Sequence, residues 1–193
     1  MARYHHGNLR EAVLDAAAGV IARGGVDALS LRAVAGDLGV SHTAFRRHFG
    51  SREGVLNALA AQGHHLLAGA LHGARQAGEF IDVGIAYVRF ALDHPGHFTV
   101  MFRSDLLDNA DPELVAARQA SYAPLVDGVA ALDLDDPEAG EVTGWAVVHG
   151  IATLALTGNL RGDPVDLTRR ALGVVRPADR GRGGAGPGRP RGR

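Results

Sequence analysis

The chain has 193 residues, of which 46% are hydrophobic and 5% aromatic, and it contains no cysteine. This hydrophobic content is enough for a buried core, and the lack of cysteine excludes disulfides, thiolate catalysis and cysteine-based metal sites. The net charge of −1 conceals an uneven distribution: residues 1–53 carry seven Arg against five acidic residues, residues 54–175 seven against fifteen, and residues 176–193 six against one. An end of the molecule, rather than its whole surface, is therefore expected to meet a polyanion.

Neither a signal peptide nor a membrane span is expected. The first residues lack the apolar region of a signal peptide. The longest weakly polar run, residues 144–158, contains His149 and is shorter than the ~20 apolar residues that cross a bilayer. We therefore expect a cytoplasmic protein.

Apolar residues recur at helical spacing through the first fifty residues. Asn8 and Glu11 form a capping-box pattern that opens a first helix, which lasts until a glycine pair. Ser30 is the expected N-cap of a second helix, and Gly39 ends it because glycine tolerates a positive φ. Ser41 is the expected N-cap of a third helix only two turns long.

The second and third helices have the geometry of a helix-turn-helix, with small Ala35 at their crossing and Phe45 in the core. With those positions inward, the side chains that point outward from the third helix are His42, Thr43, Arg46 and Arg47. Similar helical pairs occur in proteins that do not touch DNA, so the spacing favours DNA binding without establishing it.

The remaining pattern is also helical. Ser51 begins a fourth helix of about six turns, long enough to enter a second unit, and residues 80–92 form a fifth that His94 and Pro95 stop. Three Asp-Pro pairs, at 111–112, 136–137 and 163–164, predict three further helix starts, since Pro suits the first helical position. Pro124 predicts a kink or break near Tyr122. With no stretch of strand-like alternation, the sequence predicts an all-α protein with about nine helices.

Residues 4–62 contain the segments YHHGNLREAVLDAA and SLRAVAGDLGVSHTAFRRHFGSREGVLNALA. Together they resemble the amino-terminal domain of TetR-family (tetracycline-repressor-like) transcriptional regulators. A ligand-binding domain of one branch, known for its Trp, His and Gly, resembles HPGHFTVMFRSDL (94–106) and GWAVVHGIATLAL (144–156). The resemblance implies a helix-turn-helix DNA-binding domain at 1–53 and a helical ligand-binding and dimerisation domain at 54–175. Residues 176–193, rich in Gly, Pro and Arg, are expected to be a disordered basic tail.

The resemblance also implies roles for single residues. Ser30 would hold a phosphate and Arg32 would reach a base edge, while the start of the third helix lies nearest the bases. Arg46 and Arg52 replace the family's usual tyrosine and lysine, and both keep a donor for phosphate. The expected DNA-binding residues are Arg3, Ser30, Arg32, Ser41, His42, Thr43, Ala44, Arg46, Arg47, His48 and Arg52.

A cluster of aromatic and sulfur side chains in the second unit is typical of a core, and also of an effector cavity. Trp145 and His149 are four apart and share a helix face, so they could line a pocket or pack the core. In this family the last two helices form the dimer interface, so Gly150 could serve assembly. The expected ligand-binding residues are Tyr87, Phe90, Met101, Phe102, Trp145 and His149.

Other classes of function are weaker. The histidines at 64, 65 and 72 are interpreted as a polar helix face rather than a metal site, since adjacent residues point in different directions. No phosphate-binding glycine loop, G-x-S-x-G or H-E-x-x-H occurs, so neither an enzyme nor a cofactor is expected. The alternative is a helical small-molecule carrier or metal-binding bundle without DNA binding. The favoured prediction is a homodimeric, ligand-responsive regulator, a repressor that binds a near-palindromic operator and is released by a small-molecule effector.

Overall fold

A computed structural model describes residues 9–174, and within this range the chain forms nine α-helices, a short 3-10 turn (Val26–Ala28) and no strand. The helices are α1 (Leu9–Gly24), α2 (Leu31–Asp37), α3 (His42–Phe49), α4 (Arg52–Ala77), α5 (Phe80–Asp93), α6 (Pro95–Met101), α7 (Pro112–Ala130), α8 (Pro137–Leu156) and α9 (Pro164–Val174). The all-α prediction is confirmed. The Asn8 cap, Arg3 and the predicted tail lie outside the described residues.

Serine side chains cap the two helices that frame the helix-turn-helix. Ser30 Oγ accepts a hydrogen bond from a main-chain N–H of α2 at 3.3 Å, and Ser51 Oγ accepts one from α4 at 3.1 Å. Gly39 has the positive φ, 64°, that its place after α2 predicted. A short helix such as α2 needs this help because two turns are marginal on their own.

The three Asp-Pro pairs start helices as predicted. The side chains of Asp111, Asp136 and Asp163 each accept a hydrogen bond from the main-chain N–H three residues on, at 2.9, 3.0 and 2.7 Å. The prolines follow as the first residues of α7, α8 and α9. Each cap satisfies one of the N–H groups that have no partner inside the helix.

The sequence predicts a kink or break near Tyr122; the break is wrong, because α7 continues through Pro124 to Ala130, and the kink stays a prediction. Buried side chains lie on both sides of the proline: Leu114, Ala117 and Ser121 before it, Gly128 and Val129 after it. Tertiary packing along the whole helix therefore outweighs the main-chain hydrogen bond that the proline removes.

Two clusters of buried residues form the core, and α4 belongs to both. The first holds α1, α2, α3 and the α4 residues up to Ala61, together with Val100, Leu107, Leu114 and Ala117 from the second half of the chain. The second unites the rest of α4 with α5, α6 and α8. The front helices are thus packed against the rest of the protein and share a core with it.

The helix α8 stands out because it is apolar yet poorly covered. Val148 and Ala152 are its buried residues, whereas Val142, Trp145 and Leu154 are 55%, 40% and 44% exposed. In the described part of the chain, α8 is the one helix that is long and apolar enough to cross a membrane. Core helices of soluble proteins meet the same criterion of length and composition. Such a surface needs a covering partner of some kind.

Candidate functional site

The third helix is held at the surface by its own aromatic side chains. Phe45 and Phe49 are buried in the front core, with ring centroids 5.3 Å apart. The main-chain N–H of Val40 donates to the Ala35 carbonyl at 2.9 Å, which closes the turn between α2 and α3. The outer face of α3 is therefore fixed in direction by the core beneath it.

Most of the predicted DNA-binding residues lie on this outer face or beside it. Those with exposed side chains are Ser30, Arg32, Ser41, Thr43, Arg46, Arg47 and His48. His42 is the first residue of α3, and Ala44 lies in its first turn. Within the described part of the chain, the guanidinium groups of Arg46 and Arg47 make no hydrogen bond or ion pair. They are positioned to meet an external anion.

Arg52 occupies a different environment from the other predicted donors. Its Nη2 donates to the Val26 carbonyl at 2.7 Å, and the residue is half-buried. This bond ties the start of α4 to the 3-10 turn after α1. Arg52 thus has a structural partner in addition to any phosphate that the N-terminus of α4 could attract.

A cavity of about 1110 Å³ lies in the second half of the protein. Its wall is mainly apolar and is built from α4, α5, α7, α8 and α9 with the end of α6. Four predicted ligand-binding residues line it: Tyr87, Met101, Phe102 and Trp145. The charged residues at its edge are Arg75, Glu79 and Arg118. This volume and lining are those of a site for a sizeable apolar molecule.

Phe90 and His149, also predicted to bind ligand, do not line this cavity. Phe90 lies on α5 three positions after Tyr87, but its ring packs on His94 with centroids 5.0 Å apart and lines a smaller groove. His149 lies behind the wall, with its ring 4.7 Å from that of Phe102. Helical spacing alone could not tell the cavity side of α5 and α8 from the packed side.

His149 reaches the cavity through a hydrogen-bonded relay. The Trp145 indole N–H donates to the Tyr87 hydroxyl oxygen at 3.3 Å, and the Tyr87 hydroxyl lies 3.0 Å from His149 Nδ1. Burial raises the pKa of Tyr87 and lowers that of His149, so both groups are neutral near pH 7. His149 therefore orients the Tyr87 ring, which does line the cavity.

His64 is a cavity residue that the sequence interpretation misplaced. It is 4% exposed, not part of a polar face, and its Nδ1 lies 2.8 Å from Ser121 Oγ. Burial, with a contribution from the positive charge of Arg118, lowers its pKa to about 4, while the Met101 carbonyl partly opposes the shift. His64 precedes buried Leu67 and Leu71 by three and seven positions, and this periodicity was the signal that could have found it.

The helix α6 joins the cavity to the front helices. At its end, Met101 lines the cavity and crosses α4 so closely that a methyl group on Gly63 would lie 2.6 Å from its sulfur. At its beginning, a methyl group on Gly96 would collide with the carbonyl oxygen of Ala18 in α1. The helix α6 is thus in close contact with α4 through the Met101 side chain and with α1 through Gly96, and it connects the cavity wall to the front helices.

Comparison with known families agrees with this geometry. Residues 13–59 match the family described as bacterial regulatory proteins, tetR family, and residues 80–175 match the one described as tetracyclin repressor-like, C-terminal domain. The chain belongs to the TetR family. The first match contains most of α1 through the start of α4, and the second contains α5 through α9. The branch within the family stays a prediction.

One relative of this chain is an uncharacterised HTH-type transcriptional regulator of Mycobacterium tuberculosis. The two are 28% identical over 155 residues, which are 77% of this chain and 71% of that protein. A protein of unknown function from Rhodococcus sp. RHA1 is 38% identical with a TM-score of 0.74, over 89% of this chain and 95% of that one. The TetR-like regulator LfrR of Mycobacterium smegmatis, in complex with proflavine, is 26% identical with a TM-score of 0.65, over 85% and 93%. The TetR-family chain is thus a DNA-binding transcriptional regulator and not an enzyme.

Proposed function

We propose that two copies of this chain bind a near-palindromic operator as a repressor and release it when a small molecule occupies the cavity. The observation that carries the proposal is that the DNA-facing helices and the cavity are connected through α4. Unpaired arginines lie on the outer face of α3, and the core under α3 shares α4 with the wall of the cavity.

The division of labour on the DNA follows from side-chain chemistry. Arg46 and Arg47 suit the phosphate backbone, which supplies affinity that weakens with salt, and Arg32 and Thr43 suit base edges, which supply sequence choice. An α3 of two turns reads too few base pairs to select one site. Two copies that read half-sites about 34–36 Å apart supply the missing information.

The second copy is proposed to cover α8 and α9. Val142 and Leu154 are large apolar side chains exposed on α8, and α8 packs beside α9. Such a pair of helices can supply the apolar surface that a helical dimer interface requires. Trp145 is both partly exposed and part of the cavity wall. The proposed dimer interface and the ligand site are therefore neighbours, and a ligand can influence how the copies are spaced.

The proposed switch is a shift of α4, with α6 as the connecting piece. The two copies of α3 in the dimer, its reading heads, fit the operator at one spacing. An effector that binds more tightly to the dimer with a different spacing shifts the population away from DNA. A difference in binding free energy of about 1–3 kcal/mol changes affinity roughly 5–150-fold. Operator affinity measured with and without saturating effector tests this step, and equal values would contradict it.

The first experiment is binding to DNA from upstream of the protein's own gene at two salt concentrations. It compares wild type with Arg46→Ala and with the control Arg89→Ala, since Arg89 is exposed on α5, away from α3. We expect selective binding that weakens with salt and with Arg46→Ala but not with Arg89→Ala. Equal selective binding by all three proteins would contradict the role of Arg46, whereas only weak binding to any duplex would favour the carrier alternative.

A further inference from the structure

The buried imidazole of His64 has one nitrogen bonded and one without a partner. Nδ1 is held by Ser121, whereas Nε2 is buried and has no hydrogen-bond partner among the described residues. The ring packs edge-on against Phe102, with centroids 5.9 Å apart, and both residues belong to the cavity wall. Buried polar atoms are usually paired, so one without a partner in a ligand cavity points to the ligand.

The bonds of Ser121 determine which nitrogen carries the proton. A serine hydroxyl has one hydrogen, and the Arg118 carbonyl, which can only accept, lies 3.0 Å from Ser121 Oγ. The arrangement that satisfies this carbonyl gives it the serine hydrogen. The Ser121 oxygen is then the acceptor toward His64, so Nδ1 carries the hydrogen and donates. The neutral ring has only one hydrogen, which leaves Nε2 as an acceptor.

We propose that His64 Nε2 accepts a hydrogen bond from the effector, which is a large, mainly apolar molecule carrying one hydroxyl or N–H group. The volume and apolar wall of the cavity set the size and body of the molecule. His64 sets its polar group. The side chains next to the ring, Met101 and Phe102, also line the cavity, and the unbranched thioether of Met101 adapts readily to a ligand.

This inference rests on the proposed ligand-responsive function and adds a reason for the response. A buried nitrogen without a hydrogen-bond partner carries a free-energy penalty. A donor bound in the cavity removes that penalty only in the conformation where it reaches Nε2. His64 lies on α4, the helix whose position is proposed to set the spacing of the reading heads.

The test uses matched pairs of an alcohol, which can donate, and a ketone of the same skeleton, which can only accept. The pairs are decalol with decalone, and androstanol with androstanone; the alcohols do not absorb where tryptophan is excited, and the ketones absorb there only weakly. Trp145 is the only tryptophan and lines the cavity, so its fluorescence reports binding. We expect the alcohols to bind wild type roughly tenfold more tightly than the ketones.

Three variants locate the effect at Nε2. His64→Asn keeps an amide N–H near the position of Nδ1 and removes Nε2, so it should bind alcohol and ketone equally. His64→Gln places an amide oxygen near the position of Nε2, so it should restore part of the preference for alcohol. His65→Asn alters the exposed neighbour and should leave the preference of wild type unchanged.

The outcomes separate this inference from the proposed function. Equal binding of alcohols and ketones to wild type, or a preference that survives His64→Asn, would overturn the role of His64 and leave the cavity as a ligand site. A preference for ketones would mean that Nε2 carries the hydrogen, and would overturn the inference in the same way. Failure of all four compounds to bind would overturn the inference and count against the cavity, while the operator experiment would still test DNA binding.

Discussion

The front helices and the cavity region are both built from packed helices, but they place their candidate functional side chains differently with respect to the core. Around α2 and α3 the core is closed, and most of the candidate functional side chains lie outside it and are exposed. Around the cavity the candidate functional side chains point inward, and the helices leave space between them. A reading surface therefore depends on a rigid core beneath it, whereas an effector site depends on a core that is incomplete.

The comparison predicts that the loss of one phenylalanine has a larger effect in the front core than at the cavity. Phe45 is 4% exposed and packs on Phe49, so Phe45→Ala should lower the free energy of unfolding by about 3–5 kcal/mol and abolish operator binding. Phe102 is half-buried beside the cavity, so Phe102→Ala should cost only about 1–2 kcal/mol and retain operator binding. Urea unfolding and DNA binding of both variants measure this difference. Equal losses would show that the two cores do not differ in packing.

The same contrast explains what could be predicted from the sequence. The caps at Ser30 and Ser51 and the three Asp-Pro helix starts are decided by neighbours within four residues, and local patterns express them well. The break at Pro124 is mispredicted because its helix is held by contacts with distant residues. The outward face of α3 was readable because one closed core determines it.

The cavity was only partly readable, because no local pattern specifies empty space. Residues of six helices meet there, and the sequence cannot show which side of each helix borders the space. Tyr87 and Phe90 are three positions apart on α5, yet Tyr87 lines the cavity and Phe90 does not. His64 was misplaced because its exposed neighbour, His65, suggested a shared polar face.

The second prediction concerns acid, to which the cavity region should be the more sensitive. The unfolded chain protonates His64 as the pH falls through 6.5, whereas in the folded protein its pKa is about 4. Protons therefore bind the unfolded state preferentially between these values, and about 3 kcal/mol of stability is lost on going from pH 7 to pH 4. The lowered pKa values of His97 and His149 act in the same direction. Chemical denaturation at a series of pH values measures the loss.

The variant His64→Asn separates this contribution from those of the other histidines. Its stability should fall less steeply between pH 6.5 and 4 than that of wild type, because one proton fewer is taken up on unfolding. His65→Asn should follow the wild-type curve closely, since the charge of His65 is the smallest of the contributions to the lowered pKa of His64. Parallel curves for wild type and His64→Asn would contradict the assignment of the shift to burial of His64.

The third prediction tests a buried link between the regions. The Asn57 side chain on α4 donates to the Asp108 carbonyl and accepts from the Asp108 N–H, both at 3.0 Å. Asn57→Ala should cost about 2 kcal/mol, since two hydrogen bonds are lost at a site that is 6% exposed. Asp108→Ala is the matched control, because it keeps both main-chain atoms. The control removes the bond that Asp108 Oδ1 accepts from the Ala110 N–H at 3.0 Å and leaves the bonds to Asn57 in place. If it destabilises as much as Asn57→Ala, the bonds of Asn57 are no stronger a link than this local turn.

The smallest effect is expected at the exposed link between the same regions. Arg10 on α1 forms an ion pair with Glu113 on α7 at 3.0 Å, but the two side chains are 44% and 54% exposed. Water and salt screen such a pair, so Arg10→Ala should change the free energy of unfolding by less than about 1 kcal/mol. A double-mutant cycle with Glu113→Ala, measured at low and high salt, isolates the pair from other effects of each substitution. A coupling as large as the loss at Asn57 would mean that the front helices are held to the body by charge. The expected small coupling would leave the shared apolar core and the Asn57 bonds as the route by which the cavity and α3 influence one another.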